Sequence, residues 1–205
     1  MKEIKFYKVV VFINSLVPLS LIAWDWYRKQ LGVNPVEFLT RTTGMLTLIF
    51  LLVSLAVTPL RKISGVQWII QFRRMLGLYA FFYGFLHFMT YIWFDRQFHL
   101  RSTVQDVYAR PFIAIGMLSF FLMIPLAITS TKGWIKRLGG KRWALLHKLA
   151  YVSAIGGVVH FWMLVKSDTR LPIKFAFALA LLLGSRFVIQ NMKKKPPPRT
   201  IIPTT

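Results

Sequence analysis

The sequence predicts an all-α membrane protein built as a bundle of six transmembrane helices. Its 205 residues are 56% hydrophobic, a composition too apolar for an ordinary soluble domain. Six apolar segments divide the chain, each close to the roughly twenty residues needed to cross a hydrocarbon core of about 30 Å. Histidines lie inside two of these segments, where a titratable side chain is costly and usually marks function.

The six predicted helices are joined by short connections, and their ends can be assigned only to within several residues. They cover residues 8–24, 44–60, 75–94, 112–129, 143–165 and 173–190. The first resembles a signal peptide in its basic start, but it lacks a small-x-small cleavage site and ends in Trp24, Trp26 and Tyr27. We therefore predict a retained span. Residues 1–192 are predicted to form the transmembrane domain, and the basic, proline-rich residues 193–205 a disordered cytoplasmic tail.

Positive charges are distributed unequally between the two ends of the predicted helices. With the amino terminus taken as cytoplasmic, that side holds sixteen lysines and arginines, in residues 2–8, 61–74, 132–142 and 193–199. The other side holds nine, together with five of the six acidic residues. The positive-inside rule therefore places both termini in the cytoplasm, and an even number of spans agrees with this. The loop 132–142 is the most basic, and is suited to dock an acidic redox partner or an anionic cofactor as well as to fix orientation.

Several functional classes are excluded by composition and motifs. The chain has 27 basic and 6 acidic residues, but the charges fall in short runs between apolar segments, which indicates topology and not nucleic-acid binding. It has no cysteine, so it holds no disulfide, no thiolate-ligated iron–sulfur cluster and no covalent c-type haem. No dinucleotide fingerprint or phosphate loop is present. Electrons for a redox function must therefore come from quinol in the bilayer or from a separate flavoenzyme.

Two of the membrane histidines are predicted to lie at one depth. The third and fifth helices run in the same direction, so depth can be compared along them at about 1.5 Å per residue. His87 lies seven residues before the end of its helix and His160 five before the end of its own, so both belong in the outer half. They are candidates to clamp one haem iron. Two unrelated hydrogen bonds across helices would not require equal depth.

A third histidine indicates a second site in the inner half of the membrane. His147 lies thirteen residues, or about 20 Å, nearer the cytoplasm than His160. At its level the third helix presents Arg73, on nearly the same face as His87. Three alternatives remain here: a haem held by His147 and water, a haem held by His147 and Arg73, or no haem. Arginine is normally protonated and a poor iron ligand, so contact with haem propionates is its more conventional role.

Two further features bear on the inner site. Thirteen residues turn a regular helix by about 140° from the starting face, so His147 and His160 face one point only if the helix is distorted, as Gly156 and Gly157 would permit. Arg186 lies a turn or two inside the end of the last helix. We expect its side chain to snorkel to lipid phosphates, although it would also reach a propionate or a flavin phosphate.

Five stretches of the sequence carry a family resemblance. They are NPVEFLTRTTG at 34–44, VTPLRK at 57–62, RRMLGLYAFFYGFLHFMTY at 73–91, RPFIAIGM at 110–117 and LAITSTKGWIKRLGGKRWALLHKLAYV at 126–152. From about Asn34 to Lys166 the chain resembles the MsrQ (YedZ) family, the haem-binding membrane subunits of the bacterial periplasmic methionine sulfoxide reductase system. Three parts of the last stretch are specific to this family, whereas apolar spans alone are not: TST with the basic loop that follows it, KRW, and LHKLAYV.

The resemblance implies a fold, cofactors and a role. The family is similar to the membrane domain of ferric reductases and NADPH oxidases, whose paired histidines on two helices hold stacked b haems. On that likeness His87 and His160 would ligate the iron of one haem b, and His147 would serve a second. The family is also described as binding FMN, for which no motif is identified here. The implied role is to pass electrons across the bacterial inner membrane, from the quinone pool or a cytosolic flavin reductase to MsrP. MsrP is a periplasmic molybdopterin subunit that reduces methionine sulfoxide in proteins.

Two alternatives to this role remain at the level of sequence. An electron-transfer protein for another acceptor, such as ferric iron or oxygen, would have the same spans and histidines. A proton-coupled transporter of small solutes would also place histidines in the membrane, but inverted repeats and intramembrane carboxylates are missing from the sequence. We expect an electron-transfer subunit with no substrate-converting site of its own.

Overall fold

The computed structural model describes residues 2–192, and these form eight α-helices. They are α1 (Lys2–Tyr27), α2 (Pro35–Ser64), α3 (Arg73–Thr90), α4 (Leu100–Ala109), α5 (Pro111–Ile128), α6 (Lys132–Leu146), α7 (Leu149–Leu164) and α8 (Arg170–Met192). A 3₁₀-helix at Gln67–Phe72 leads into α3, and a π-helical turn at Tyr91–Asp95 extends it. The predicted tail 193–205 lies outside the described residues.

Six helical segments within residues 2–192 are long and apolar enough to cross a membrane. They are Glu3–Tyr27, Pro35–Ser64, Gln67–Asp95, Pro111–Ile128, Lys132–Leu164 and Arg170–Ile189. Each contains or closely matches one predicted span, so the prediction of an all-α, six-helix membrane protein is confirmed. Because the connections are short, consecutive spans alternate in direction. We call the end of the bundle where α3 and α7 begin the basic end, since α6 and its lysines and arginines lie there.

Local sequence signals define both ends of α2 and the start of α5. The side chain of Asn34 accepts a hydrogen bond from the backbone N–H of Glu37 at 3.1 Å, and Pro35 occupies the first turn of α2. Gly65, with φ of +73°, ends that helix in the left-handed conformation. Pro111 begins α5 in the same way that Pro35 begins α2.

An additional short helix, α4, occupies the connection between the third and fourth spans. It is fixed by Asp106, which is 7% exposed and accepts from Arg96 at 2.6 Å and from Arg110 at 3.1 Å. The Tyr91 hydroxyl donates to the same carboxylate at 3.0 Å. A buried acid that is paired with two cations satisfies its charge and holds α4 against the end of α3.

The basic segment 132–142 is helical, so its prediction as a loop was wrong. The side chain of Thr131 accepts from the backbone N–H of Trp134 and caps the start of α6. Gly139, with φ of +74°, divides α6 by a kink. The segment lacks an apolar periodicity because no residue of α6 is buried, which is why its sequence resembled a loop.

The fifth span is interrupted at His147 and Lys148, where α6 ends and α7 begins, and not at the glycines predicted to allow a distortion. Gly156 and Gly157 lie within continuous α7. Their role is close packing, because a Cβ atom at Gly156 would overlap the side chain of Ser119, and one at Gly157 would lie 2.9 Å from a methyl group on α2. The break turns His147 independently of the rest of α7.

The spans are arranged as two helix pairs with a shared core. α2 packs most extensively against α3, and α5 against α7; the pairs meet where α3 contacts α5 and α2 contacts α7, and α8 packs on α2 and α7. Buried side chains from both pairs form the central cluster: Leu48 and Leu55 on α2, Ala80 on α3, Met123 on α5 and Ala154 on α7. Small residues at the contacts allow the close helix packing typical of membrane proteins.

The first helix is joined to the bundle by two tyrosine hydroxyls of α3. Tyr83, fully buried, donates to the carbonyl of Ser15 at 2.6 Å, and Tyr79 donates to the carbonyl of Phe12 at 2.9 Å. The ring of Phe50 stacks against both tyrosine rings and holds them in place. In a medium as apolar as the helix surfaces themselves, such hydrogen bonds contribute a large share of helix association.

Replacing Tyr83 by Phe removes one of these bonds and leaves the ring stack. We expect the free energy of unfolding in detergent to fall by about 1 kcal/mol, the usual net contribution of a neutral hydrogen bond. Tyr108→Phe is the control, since Tyr108 is 86% exposed on α4. Equal unfolding free energies for the two variants would contradict this account of how α1 is attached.

Candidate functional site

The structure brings His87 of α3 and His160 of α7 together across the interface between the two helix pairs. Their ring centroids are 6.1 Å apart and the ring planes are inclined at 73°. Each histidine lies in the half of its helix farther from the basic end, as the depth comparison along the third and fifth spans predicted. The two imidazoles therefore face one another inside the bundle, one contributed by each helix pair.

A hydrogen bond to the neighbouring helix fixes each imidazole. Nδ1 of His87 lies 2.8 Å from the carbonyl oxygen of Thr40 on α2. Nδ1 of His160 lies 2.6 Å from the carbonyl oxygen of Phe112 on α5. A carbonyl oxygen only accepts, so Nδ1 carries the hydrogen in both rings and Nε2 keeps its lone pair. This tautomer is the one in which Nε2 is available to a metal ion.

A glycine lies beside each of these carbonyls and makes room for the ring. Gly44 follows Thr40 by four residues and Gly116 follows Phe112 by four, so each glycine shares a helix face with the acceptor. A Cβ atom at Gly44 would lie 3.0 Å from two atoms of the His87 ring, and one at Gly116 would lie 2.7 Å from Nδ1 of His160. Both imidazoles therefore lie flat against a helix surface that only glycine provides.

The separation of the rings fits two axial ligands of one metal ion. With metal–nitrogen bonds of about 2.0 Å, two imidazoles on opposite sides of one ion have centroids roughly 6 Å apart. The observed 6.1 Å agrees with that arrangement. Among the described residues no group of three or more histidine, aspartate or glutamate side chains is placed to hold a metal ion. The pair supplies two protein ligands, the number found in haem proteins whose side chains fill both remaining coordination positions of the iron.

His147, the third histidine of the spans, is held in the opposite tautomer at the basic end. The hydroxyl of Thr129 donates to the carbonyl of Pro125 at 2.6 Å, and its oxygen lies 3.2 Å from Nε2 of His147. Because the single hydroxyl hydrogen is already used, Nε2 must donate and the lone pair lies on Nδ1. The indole of Trp143 stacks on the imidazole with centroids 3.9 Å apart and donates to the Thr129 carbonyl.

Arg73, the other predicted residue of the inner level, is the first residue of α3. Its side chain is half-buried, and its charge lies within electrostatic reach of His147 and of Arg186. Its backbone carbonyl accepts from the hydroxyl of Ser54 at 3.0 Å, which joins the start of α3 to α2. The described residues show no hydrogen bond between Arg73 and His147. The structure thus places the two at the same end of the bundle, where the charge of Arg73 acts on His147.

Arg186 points into the bundle, so the prediction that it snorkels to lipid was wrong. Its guanidinium donates to the hydroxyl of Tyr151 and to the backbone carbonyl of Leu55, and it lies 4.9 Å from the centroid of the Tyr151 ring. The reason is that α8 packs between α2 and α7, which offer these two acceptors at its depth. A buried cation gains more from fixed acceptors than from a distant headgroup.

Comparison with known proteins agrees with this architecture. Residues 42–158 match the family described as ferric reductase like transmembrane component, a match that includes His87 and ends two residues before His160. The chain is 51% identical over 178 residues to the protein-methionine-sulfoxide reductase heme-binding subunit MsrQ of Herminiimonas arsenicoxydans, covering 86% of this chain and 82% of the relative. The chain belongs to the MsrQ family. The relative of the same name from Azospira oryzae is 46% identical, over 91% of this chain and 81% of its own. The relative from Ralstonia nicotianae is 44% identical over 90% of this chain and 86% of the relative.

Sequence reasoning identified the histidines of this MsrQ-family chain but not the residues that seat them. The acceptors on Thr40 and Phe112 are backbone carbonyls, which leave no mark on a sequence. The glycines do leave one: Gly44 ends the stretch NPVEFLTRTTG and Gly116 lies in RPFIAIGM, each inside or at the edge of an apolar span. Glycine in a membrane helix often marks a close approach, and here the approaching group is an imidazole.

Replacing Gly116 by Ala should destabilise the protein, because the new methyl group forces the His160 ring away from the Phe112 carbonyl. Overpacking of this kind costs about 1–3 kcal/mol in the free energy of unfolding. Gly44→Ala should cost less, since the contact there is 3.0 Å and not 2.7 Å. Gly140→Ala on α6 is the matched control, because a Cβ atom added there would meet no neighbouring atom within 4 Å. A loss for Gly140→Ala as large as that for Gly116→Ala would disprove the proposed packing role, as measured by denaturant unfolding in detergent.

Proposed function

We propose that this chain is a b-type cytochrome of the bacterial inner membrane that carries electrons outward to a methionine sulfoxide reductase. The observation that supports this most directly is the pair His87 and His160, one from each helix pair, with centroids 6.1 Å apart and Nε2 free in both. The relatives are named as heme-binding subunits of protein-methionine-sulfoxide reductase. The family resemblance implies haem b, and the absence of cysteine from the chain excludes covalent c-type attachment.

His87 and His160 would be the axial ligands of the outer haem. When bound, the haem supplies a carrier of single electrons. The protein supplies two neutral imidazoles whose Nδ1–H groups donate to Thr40 and Phe112, which sets the tautomer and the ring orientation. Gly44 and Gly116 allow both rings to remain against their helices while presenting Nε2 to one ion.

The inner site would be served by His147, with Arg73 as a ligand or a propionate contact. The tautomer of His147 differs from that of the outer pair, because Nε2 of His147 donates to Thr129. Binding of an iron through Nε2 would require this hydrogen bond to be given up, whereas binding through Nδ1 would preserve it. We therefore propose one firmly held haem at the outer pair and a second, more weakly held haem at His147. FMN is implied by the family resemblance alone.

The direction of electron flow follows from the topology that we propose. The basic end, with α6, would lie in the cytoplasm together with both termini. Electrons would enter there, or from the membrane, by way of a cytosolic flavin reductase or the quinone pool. They would leave from the outer haem to MsrP, the periplasmic subunit that reduces methionine sulfoxide. The chain would convert no substrate itself. Ferric iron is the alternative acceptor, because the matched family is described as ferric reductase like.

The axial ligands are tested by substituting each histidine in the purified protein. His87→Ala and His160→Ala should each abolish the outer haem, measured as the reduced-minus-oxidised absorbance and as pyridine haemochrome per chain. His147→Ala should remove only the second haem. His99→Ala is the control, because His99 is exposed at the start of α4. Full haem content in both outer variants would overturn the assignment, and retention of two haems in His147→Ala would show that the inner site lies elsewhere.

The acceptor is tested by measuring electron transfer in vesicles. With quinol or a flavin reductase as donor, the vesicles should support reduction of methionine sulfoxide only when an MsrP-type subunit is added outside. His160→Ala should lower this rate at least tenfold, since the outer haem is the exit point. Ferric citrate added in place of the subunit measures the alternative. Faster reduction of ferric citrate than of methionine sulfoxide would show that the proposed acceptor is wrong.

A further inference from the structure

Two cations at the basic end, the half-buried Arg73 and the inward-pointing Arg186, lie apart from the outer histidine pair. Arg186 of α8 enters the interior between α2 and α7, and its charge interacts with that of Arg73 at the start of α3. We propose that Arg73 and Arg186, with the hydroxyl of Tyr151, form an oxyanion site that binds a carboxylate or phosphate group of a cofactor. This proposal rests on the proposed function only in that the cofactor would serve electron transfer.

Arg186 keeps unused hydrogen-bonding capacity in the interior. Its two terminal nitrogens donate to the Tyr151 hydroxyl and to the Leu55 carbonyl, but Nε is buried with no partner among the described residues. A buried donor without an acceptor destabilises the protein. Native proteins satisfy nearly all such groups, and those that remain usually await a water, an ion or a ligand. An oxyanion beside Nε would accept the remaining hydrogen bond of the Arg186 guanidinium.

Tyr151 is placed to take part in the same site. Its hydroxyl oxygen already accepts from Arg186, so its own hydrogen is left for a further acceptor. Tyr151 follows His147 by four residues, just beyond the break between α6 and α7. A ligand that reached Arg186 and Tyr151 would thus lie beside the helix that carries His147.

Within residues 2–192, no salt bridge supplies a counterion to Arg73 or Arg186. The four salt bridges within residues 2–192 use Glu37, Asp106 and Asp168, and none involves Arg73 or Arg186. The positive charges of Arg73 and Arg186 interact unfavourably, and an anion that binds near both relieves this repulsion. Planar guanidinium forks match carboxylate and phosphate oxygens especially well. The region therefore favours a ligand that brings a negative charge.

A haem propionate and a flavin phosphate both carry this chemistry, and one pair of variants distinguishes them. Arg186→Gln removes the charge, and Arg74→Gln is the control because Arg74 is the exposed neighbour of Arg73. The midpoint potentials of the purified full-length protein report on a propionate. Loss of a nearby cation should shift one haem to a lower potential, since the cation stabilises the added electron. Titrations with FMN and with riboflavin, which lacks the phosphate, report on a phosphate.

Either of two results would support the site. A lower potential for one haem in Arg186→Gln, with an unchanged ratio of FMN to riboflavin affinity, assigns the anion as a propionate. A loss of at least tenfold in that ratio, with unchanged potentials, assigns it as a phosphate. Arg186→Gln that matches Arg74→Gln in both measurements overturns the proposal. A wild-type protein without haem would refute the proposed function, while the flavin titrations would still test the oxyanion site.

A conservative variant covers the case in which Arg186→Gln does not fold. Arg186→Lys keeps the charge but loses the planar fork and Nε. It should retain the haem potentials, yet lose at least threefold in affinity for the ligand that binds through the fork, measured as haem retention in detergent or as the ratio of FMN to riboflavin affinity. Wild-type haem retention together with a wild-type ratio of FMN to riboflavin affinity would overturn the proposal. A cation with a purely structural role can be replaced by lysine without any effect on ligand affinity.

Discussion

The arrangement of the outer site depends on one interaction made twice, the hydrogen bond from a histidine Nδ1 to a carbonyl of the neighbouring helix. Thr40 and Phe112 supply these carbonyls, each from the first turns of a helix that begins with proline. The bond fixes the tautomer, the rotation of the ring and the distance between two helices. It also links α2 to α3 and α5 to α7, so each helix pair is held together by the group that it presents to the other pair.

This interaction constrains the residues around it. An imidazole that donates to a helix carbonyl must lie against the backbone of that helix, and the residue four positions later is the one it would meet. Glycine at 44 and at 116 removes the obstacle. The same principle recurs deeper in the bundle, where Gly156 faces Ser119 and Ser153 donates to the carbonyl of Ser119 at 2.6 Å. Close backbone approach between α5 and α7 is thus continuous along the pair.

The sequence predicts the spans and the shared depth of His87 and His160, because apolar length and rise per residue are local properties. It does not predict which carbonyl each ring meets, since that depends on how two helices are rotated against one another. The sequence also does not predict the inward direction of Arg186. A cation near a helix end is ordinarily solvated by headgroups, and only the packing of α8 on α2 and α7 supplies acceptors inside the bundle. The helix at 132–142 was missed because its residues bury no apolar stripe.

The histidines at the two levels of the bundle have different tautomers, and the difference is due to one hydroxyl group. At the outer level backbone carbonyls, which only accept, force Nδ1–H and leave Nε2 open on both rings. At the inner level Thr129 accepts from Nε2 of His147 because its own hydrogen is donated to Pro125. A carbonyl is a permanent acceptor, whereas a hydroxyl can rotate and exchange its partner. The outer pair is therefore preorganised with Nε2 open on both rings, whereas the lone pair of His147 stays on Nδ1 for as long as the Thr129 hydroxyl donates to Pro125.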